Sequence, residues 1–251
     1  MIAIISALEE EIKSIHELIE VKTEKTIGSR KYYIGQYKKK DIVFVYSKCG
    51  KVAAATTVTT LINVFGATKI IFTGVAGAID AKLKVGDIVI GSGLVQHDFD
   101  VSELLGFDKY DNSLLGRSVF EANFKNYEKI LEEIKKQFLN KIESEISEEV
   151  FEEYNIKNPS VVSGVIASGD QFISSAEKAQ ELREGIANIK CVEMEGAAAA
   201  QVCYEYNTEL LVIRIISDNA DADAKYSFDS FVSQIASNYT KVLLELILQF
   251  V

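Results

Sequence analysis

Tryptophan is absent from the 251 residues, and proline occurs once, at Pro159. So few helix breakers favour long regular elements, and no internal repeat, low-complexity tract or flexible linker is visible. Cysteine is scarce and odd in number. Cys49, Cys191 and Cys203 form no C-x-x-C pair, which removes the usual metal and redox spacings. Cys191 and Cys203 sit in apolar runs and read as buried reduced thiols. No stretch reaches the roughly 18 apolar residues of a membrane span. The opening MIAIISALEEE lacks a basic leader, and three glutamates follow its short apolar run, so no signal peptide is expected. Positive charge is in deficit, with 27 Lys and Arg against 37 Asp and Glu, a net charge of −10. Nucleic acid and anionic membrane surfaces would repel such a chain. A soluble, cytoplasmic protein with neither as partner is expected. The one basic run, Lys38-Lys39-Lys40, reads as a hairpin tip rather than a binding patch.

What is present is an ordinary globular balance, 48% hydrophobic and 25% charged. The length is near the upper limit for one core, so a single domain over 1–251 is expected. Short β-rich runs are read at residues 2–7, 32–36, 42–46, 69–74, 85–90, 160–168, 191–194 and 210–217. Helices are read from Ile12, Ile15, Leu18 and Ile19, over 52–65, from 196 to about 206, and over 231–250. In the last of these, Phe231, Ile235, Val242, Leu246 and Phe250 share one face. Phe124, Tyr127, Leu131, Ile134, Phe138 and Ile142 recur at steps of three and four with Glu and Lys between them. They predict a long amphipathic helix in a charge-rich insertion at about 120–158, expected to project from the core. Strands alternating with helices argue for a mixed sheet covered on both faces.

Four places put polar groups where a strand ends, the usual ligand position in open α/β sheets. Glu9-Glu10-Glu11 follows the first strand; it suits a helix dipole, or one carboxylate aims into a cleft. Gly74-Val75-Ala76-Gly77 would let a ligand approach the backbone, or serve tight packing. It is neither G-x-G-x-x-G nor a P-loop. Val192-Glu193-Met194-Glu195-Gly196 sets two acids in an apolar run, where at least one needs a specific task unless the edge is solvated. Asp218 ends the apolar run Arg214-Ile215-Ile216-Ser217, either as a helix cap or at a cleft rim, where burial would raise its pKa.

Together these motifs resemble a known family. IAIISALEEEI, CGKVAAA, FTGVAGAI, LKVGDIVI, HDFDVS, SGDQFI, VEMEGAAAA and RIISDNAD occur in the order and rough spacing of the 5′-methylthioadenosine/S-adenosylhomocysteine nucleosidases, members of the nucleoside phosphorylase superfamily. The resemblance runs almost end to end, apart from about Leu105 to Pro159. It implies a three-layer α/β/α fold around a mixed, twisted sheet, and hydrolysis of a purine N-glycosidic bond without cofactor or metal.

By that resemblance, Asp218 protonates adenine at N7, Ser217 orients it, and Glu11 activates the attacking water. Glu195 holds the ribose hydroxyls and Met194 packs on the sugar, with Glu193, Val75, Ala76, Gly77 and Cys49 lining the pocket. Phe172 stacks on adenine, the backbone of Ile173 reads its edge, and Phe228 lines the 5′ pocket. Val101 and Leu104 match positions lent to a neighbouring subunit, which implies a homodimer. The chemistry is coherent: an oxocarbenium-like state needs an acid on the leaving group and a carboxylate near the water. Phosphorolysis would need basic donors, and a glutamate cluster repels phosphate. Departures from the family pattern are Val75 where serine is common, Cys49 where an aliphatic residue is usual, and no proline after His97-Asp98. His97 and Asp98 are expected to form a structural pair near the subunit interface. A hydrolase or phosphorylase for another nucleoside, and a non-catalytic nucleoside binder, are the competing readings.

Overall fold

The computed structural model describes every residue but Leu105, Ser113, Leu114 and Asp223, and the side chain of Ile12. The strands are β1 (Ile2–Ser6), β2 (Glu20–Ile27), β3 (Arg30–Tyr37), β4 (Lys40–Tyr46), β5 (Lys69–Ala78), β6 (Ile88–Gln96), β7 (Phe120–Glu121), β8 (Val161–Ser168), β9 (Ile189–Glu193) and β10 (Glu209–Asp218). The helices are α1 (Glu9–Ile12), α2 (Ile15–Leu18), α3 (Lys51–Phe65), α4 (Tyr127–Ile142), α5 (Glu148–Glu153), α6 (Ala176–Gly185), α7 (Gly196–Glu205), α8 (Ala224–Phe231) and α9 (Ser237–Ile247). A π-helical turn, Val232–Ala236, joins the last two.

Alternation along a strand sends successive side chains to opposite faces, and that is how the layers arise. On β1, Ile2 and Ile4 enter a core shared with α4 and α9, while Ala3 and Ile5 enter one shared with α3 and α7. The mixed sheet covered on both faces is therefore the architecture observed. The strands run β2-β3-β4-β1-β5, and beyond β5 the sheet closes on itself. β5 pairs with β10, β10 with β6, β6 with β8, β8 with β9, and β9 with β5 again.

One edge of β5 thus changes partner. Its ladder to β1 ends at Phe72, and its ladder to β9 begins at Gly77. The site opens at this fork.

Several expectations change. The segment read as one helix from Ile12 to Ile19 is two short helices, because Ser14 donates its amide to Ser237 Oγ at 2.7 Å and the turn there is held by α9. β2 and α6 were not expected: β2 is an exposed edge strand without apolar alternation, and α6 is mostly polar. The run at 69–74 continues to Ala78, so the small residues belong to the strand. The strand read at 85–90 begins only at Ile88, since Asp87 Oδ2 folds back to accept the Lys84 amide at 2.8 Å. The final helix begins at Ala224, is interrupted by the π turn, and ends at Ile247.

α4 does not project from the core. Ile130, Leu131, Ile134, Phe138 and Ile142 are buried, and Phe138 meets Tyr239 of α9 with ring centroids 5.0 Å apart. The lysine run is a hairpin tip, with Lys38 and Lys39 at φ 45° and 72°, the left-handed values of a tight turn. Among the described residues no helix is long and apolar enough to cross a membrane.

Candidate active site

The fork in β5 leaves backbone groups that need partners, and an acid supplies one. Val75 donates its amide to Glu11 Oε1 at 3.0 Å. Glu11 Oε2 accepts from Ser6 Oγ at 2.5 Å and from the Leu8 amide at 2.9 Å, the latter satisfying the backbone N–H at the start of α1. Of the three glutamates, Glu9 and Glu10 are exposed and Glu11 is buried. Position within one helical turn makes that selection.

Asp218 arrives by a bulge. The β5–β10 register runs from Ile216 opposite Ala76 to Asp218 opposite Gly77, so Ser217 is the extra residue and the Asp218 side chain is re-aimed. Its Oδ2 accepts from Ser217 Oγ at 2.8 Å and its Oδ1 from the Ala220 amide at 2.9 Å. Burial raises its pKa above the ordinary aspartate value, against the opposing pull of those two hydrogen bonds. The group is thereby biased toward its acid form.

The small residues of β5 serve these carboxylates. A Cβ on Gly77 would lie 2.8 Å from Asp218 Oδ1, and one on Gly74 would lie 3.0 Å from Glu11 Oε1. The missing Cβ atoms of both glycines thus leave room for the two acids, and Gly77 also lines the cleft.

Glu193 and Glu195 divide their work. Glu193 Oε2 takes Arg214 Nη2 at 2.5 Å and Arg214 Nε at 3.1 Å; its oxygens also accept from the Gly196 amide and from Ser168 Oγ. Arg214 spends its remaining nitrogen on the carbonyls of Phe72 and Ile213, each at 3.1 Å. Glu193 therefore lines the cleft with its carboxylate committed inside the protein.

Glu195 Oε1 accepts the Gly50 amide at 2.9 Å. Gly50 stands at φ 96° and ψ 160°, a conformation essentially reserved to glycine. Burial, and next the neighbouring Glu193, push the Glu195 carboxyl up to about 8. That shift favours the acid form, in which the group can donate to a hydroxyl as well as accept from one.

The cleft encloses about 560 Å³, open mouth included. Its wall brings together Glu11, Cys49, Val75, Ala76, Gly77, Phe172, Ile173, Glu193, Met194, Glu195, Ser217, Asp218 and Phe228, all singled out from sequence. At the mouth, Phe172 meets Phe228 edge to face with centroids 5.7 Å apart. Val101 and Leu104 are not part of this wall, and Leu104 is 64% exposed. Ala7, Leu8, Gln171 and Val192 line it too and were not singled out, nor was Gly50. A glycine before a helix that starts at residue 51 was the available signal for Gly50. His97 and Asp98 do not hydrogen-bond to each other: Asp98 binds Lys51, and both nitrogens of the buried His97 ring lack a hydrogen-bond partner. Among the described residues no group of three or more His, Cys, Asp or Glu is placed to hold a metal ion.

Comparison with known proteins gives the family. A family model described as the phosphorylase superfamily matches residues 1–251. An aminodeoxyfutalosine nucleosidase of Helicobacter pylori (strain ATCC 700392 / 26695) is 36% identical over 243 residues, covering 96% of this chain and 95% of the relative. A 5′-methylthioadenosine/S-adenosylhomocysteine nucleosidase of Staphylococcus aureus (strain JH9) is 32% identical over 249 residues, 99% of this chain and 100% of the relative. Among solved structures, a 5′-methylthioadenosine/S-adenosylhomocysteine nucleosidase of Colwellia psychrerythraea 34H in complex with adenine superposes with a TM-score of 0.85 at 29% identity, covering 99% of this chain and 95% of that one.

Proposed function

The chain belongs to the phosphorylase superfamily, in the branch of the 5′-methylthioadenosine/S-adenosylhomocysteine nucleosidases, and on that premise we propose that it hydrolyses the N-glycosidic bond of 5′-methylthioadenosine and S-adenosylhomocysteine. The products are adenine and the 5′-thioribose. One observation carries the choice of water over phosphate as nucleophile. Four carboxylates, Glu11, Glu193, Glu195 and Asp218, line the cleft, and no lysine, arginine or histidine is among the described residues that do so. The buried Arg214 beside it is already held by Glu193 and two carbonyls. A phosphate there would lie beside Glu11 and find no free cationic donor to bind it.

Asp218, whose pKa burial raises, protonates adenine at N7 and turns the base into a neutral leaving group. Ser217 Oγ holds the opposite carboxylate oxygen, which sets the direction of the proton. As the bond lengthens, positive charge develops on the ribose ring. Glu11, facing the cleft from the fork in β5, accepts the proton of the attacking water. General acid and general base help of this kind is worth roughly 10²–10⁴-fold per group. Glu195 binds the ribose hydroxyls, Met194 packs on the sugar, Phe172 stacks on the base with Ile173 at its edge, and Phe228 lines the 5′ pocket. Val101 and Leu104 reach a neighbouring subunit's site in a homodimer; the 64% exposure of Leu104 supports that reading. The free thiols of Cys49, Cys191 and Cys203 suit a cytoplasmic enzyme of methionine salvage.

The test is release of free adenine from 5′-methylthioadenosine with and without added phosphate, with aminodeoxyfutalosine assayed alongside. Equal release in both buffers is expected. Release only with phosphate would make the enzyme a phosphorylase and leave Glu11 without its role.

A further inference from the structure

The ligand-facing parts of the cleft come from separate segments of the chain, and a ring of hydrogen bonds behind the wall ties two of them together through a third. Asp98, just past β6, accepts from Lys51 Nζ at 2.6 Å through Oδ1 and from the Asp170 amide at 2.9 Å through Oδ2. Lys51, at the start of α3, donates its own amide to Asp170 Oδ1 at 2.8 Å. Its Nζ also reaches Gln96 Oε1 at 3.2 Å. The Lys51 and Asp98 side chains are 18% and 17% exposed, sheltered enough for the pair to escape much of the screening that weakens surface ion pairs.

Two members of the ring adjoin parts of the cleft. Lys51 follows Gly50, whose amide binds Glu195. Asp170 precedes Gln171, Phe172 and Ile173 of the wall. Its Oδ1 lies 3.0 Å from where a Cβ on Gly50 would stand, so the two segments touch. Asp98, Lys51 and Asp170 are not themselves in the wall. Glu11 and Asp218 are held by a different set of groups: Ser6, Leu8 and Val75 for one, Ser217 and Ala220 for the other. The two halves of the site are therefore separately supported. α3 has its own anchorage through buried Ala54, Val58 and Leu61, so the polar ring is not what holds that helix to the sheet.

The geometry points to Asp98 as a positioning residue for nucleoside binding, which sets the Gly50 amide against Glu195 and the Phe172–Ile173 segment in one register. The inference rests on the nucleosidase reading and deepens it: the ribose wall and the base wall are fixed together by one carboxylate that touches neither ligand group. Loss of Asp98 loosens binding far more than it slows the chemical step.

The experiment compares wild type with Asp98→Asn, Asp98→Ala, Lys51→Met, Lys51→Arg and the double variant Asp98→Ala/Lys51→Met in steady-state turnover of 5′-methylthioadenosine. KM is expected to rise about tenfold or more in Asp98→Ala, with kcat changed less than about threefold. Asp98→Asn keeps an acceptor for the Asp170 amide and should fall between. Lys51→Arg should restore most of what Lys51→Met loses. The double variant should be no worse than the worse single one, since both break the same ring. An unchanged KM in the alanine variant would overturn the proposal. So would a fall in kcat alone that tracks the fraction of folded enzyme, which is the signature of a merely structural role. If Asp98→Ala does not fold, Asp98→Asn and Lys51→Met decide on the same criteria. If wild type releases no adenine, the nucleosidase reading itself has failed; adenine titrated calorimetrically into wild type and variants then decides, equal affinities overturning the role of Asp98 and weaker binding by the variants supporting it.

Discussion

At the floor of the cleft, Glu11, Glu193 and Asp218 each have donors on both carboxylate oxygens. At the rim, Phe172 is 47% exposed and braced by one edge-on contact with Phe228. The floor is built from the short helix α1 and the ends of β9 and β10; the rim is built from the loop that carries Phe172 and from the short helix α8. Preorganised dipoles act on charge that develops in the transition state without having to move, which suits the floor to bond cleavage. Loosely held aromatics can settle on whatever base or 5′ group arrives, which suits the rim to selection. Chemistry should therefore fail when the floor is altered, and affinity when the rim is.

The largest effect is expected at Asp218. Asp218→Asn keeps the shape and the Ala220 hydrogen bond but has no acidic proton, so kcat should fall roughly 10²–10⁴-fold with inhibitor binding retained. The pH dependence carries the same sign. Asp218 works protonated and its pKa is raised by burial, so wild-type kcat is full below that pKa and lost as pH rises through it. The variant should lack this limb in kcat. Glu195, its carboxyl pushed up to about 8 by burial, should stay visible in kcat/KM of both. Turnover that survives in Asp218→Asn would remove the acid from the floor and with it the contrast.

Next in size is the buried pair beneath the floor. Arg214→Met leaves Glu193 as an uncompensated buried charge, which costs about 3–5 kcal/mol. A lower urea midpoint with an unchanged slope is the expected readout. A variant as stable as wild type would mean that Glu193 finds other partners. The smallest effect belongs to the rim. Phe172→Ala should raise KM by about fivefold to tenfold, in keeping with about 1–1.5 kcal/mol for a lost aromatic contact, and leave kcat nearly unchanged. A drop in kcat as large as that of Asp218→Asn would dissolve the distinction between floor and rim.

Some of this was legible in the residues. The apolar run that ends in Asp218 marks a strand with an acid at its end, and two acids in the apolar surroundings of Met194 demand a task for at least one. The amphipathic spacing from Tyr127 to Ile142 marks α4. Other features left no local trace. β2 carries no apolar alternation because it lies exposed at the sheet edge, and the break between α1 and α2 depends on Ser237, 223 residues from Ser14. The pairing of Asp98 with Lys51 spans 47 residues, while the histidine beside it in sequence makes no bond to it.

Sequence by itself determined the alternating order of strands and helices, the family, and the acids available for catalysis, because periodicity and motif are written along the chain. Only the tertiary structure decided what each acid does. Glu193 and Glu195 are two residues apart and chemically identical. One is consumed because β10 carries Arg214 beneath it; the other reaches the cleft because Gly50, from the start of α3, offers a single amide. The same holds for Gly74 and Gly77, whose missing Cβ atoms make room for acids from α1 and β10. The physical reason is common to all of them: burial and hydrogen-bond partners set the state of a carboxyl, and those partners come from elements far apart in the chain.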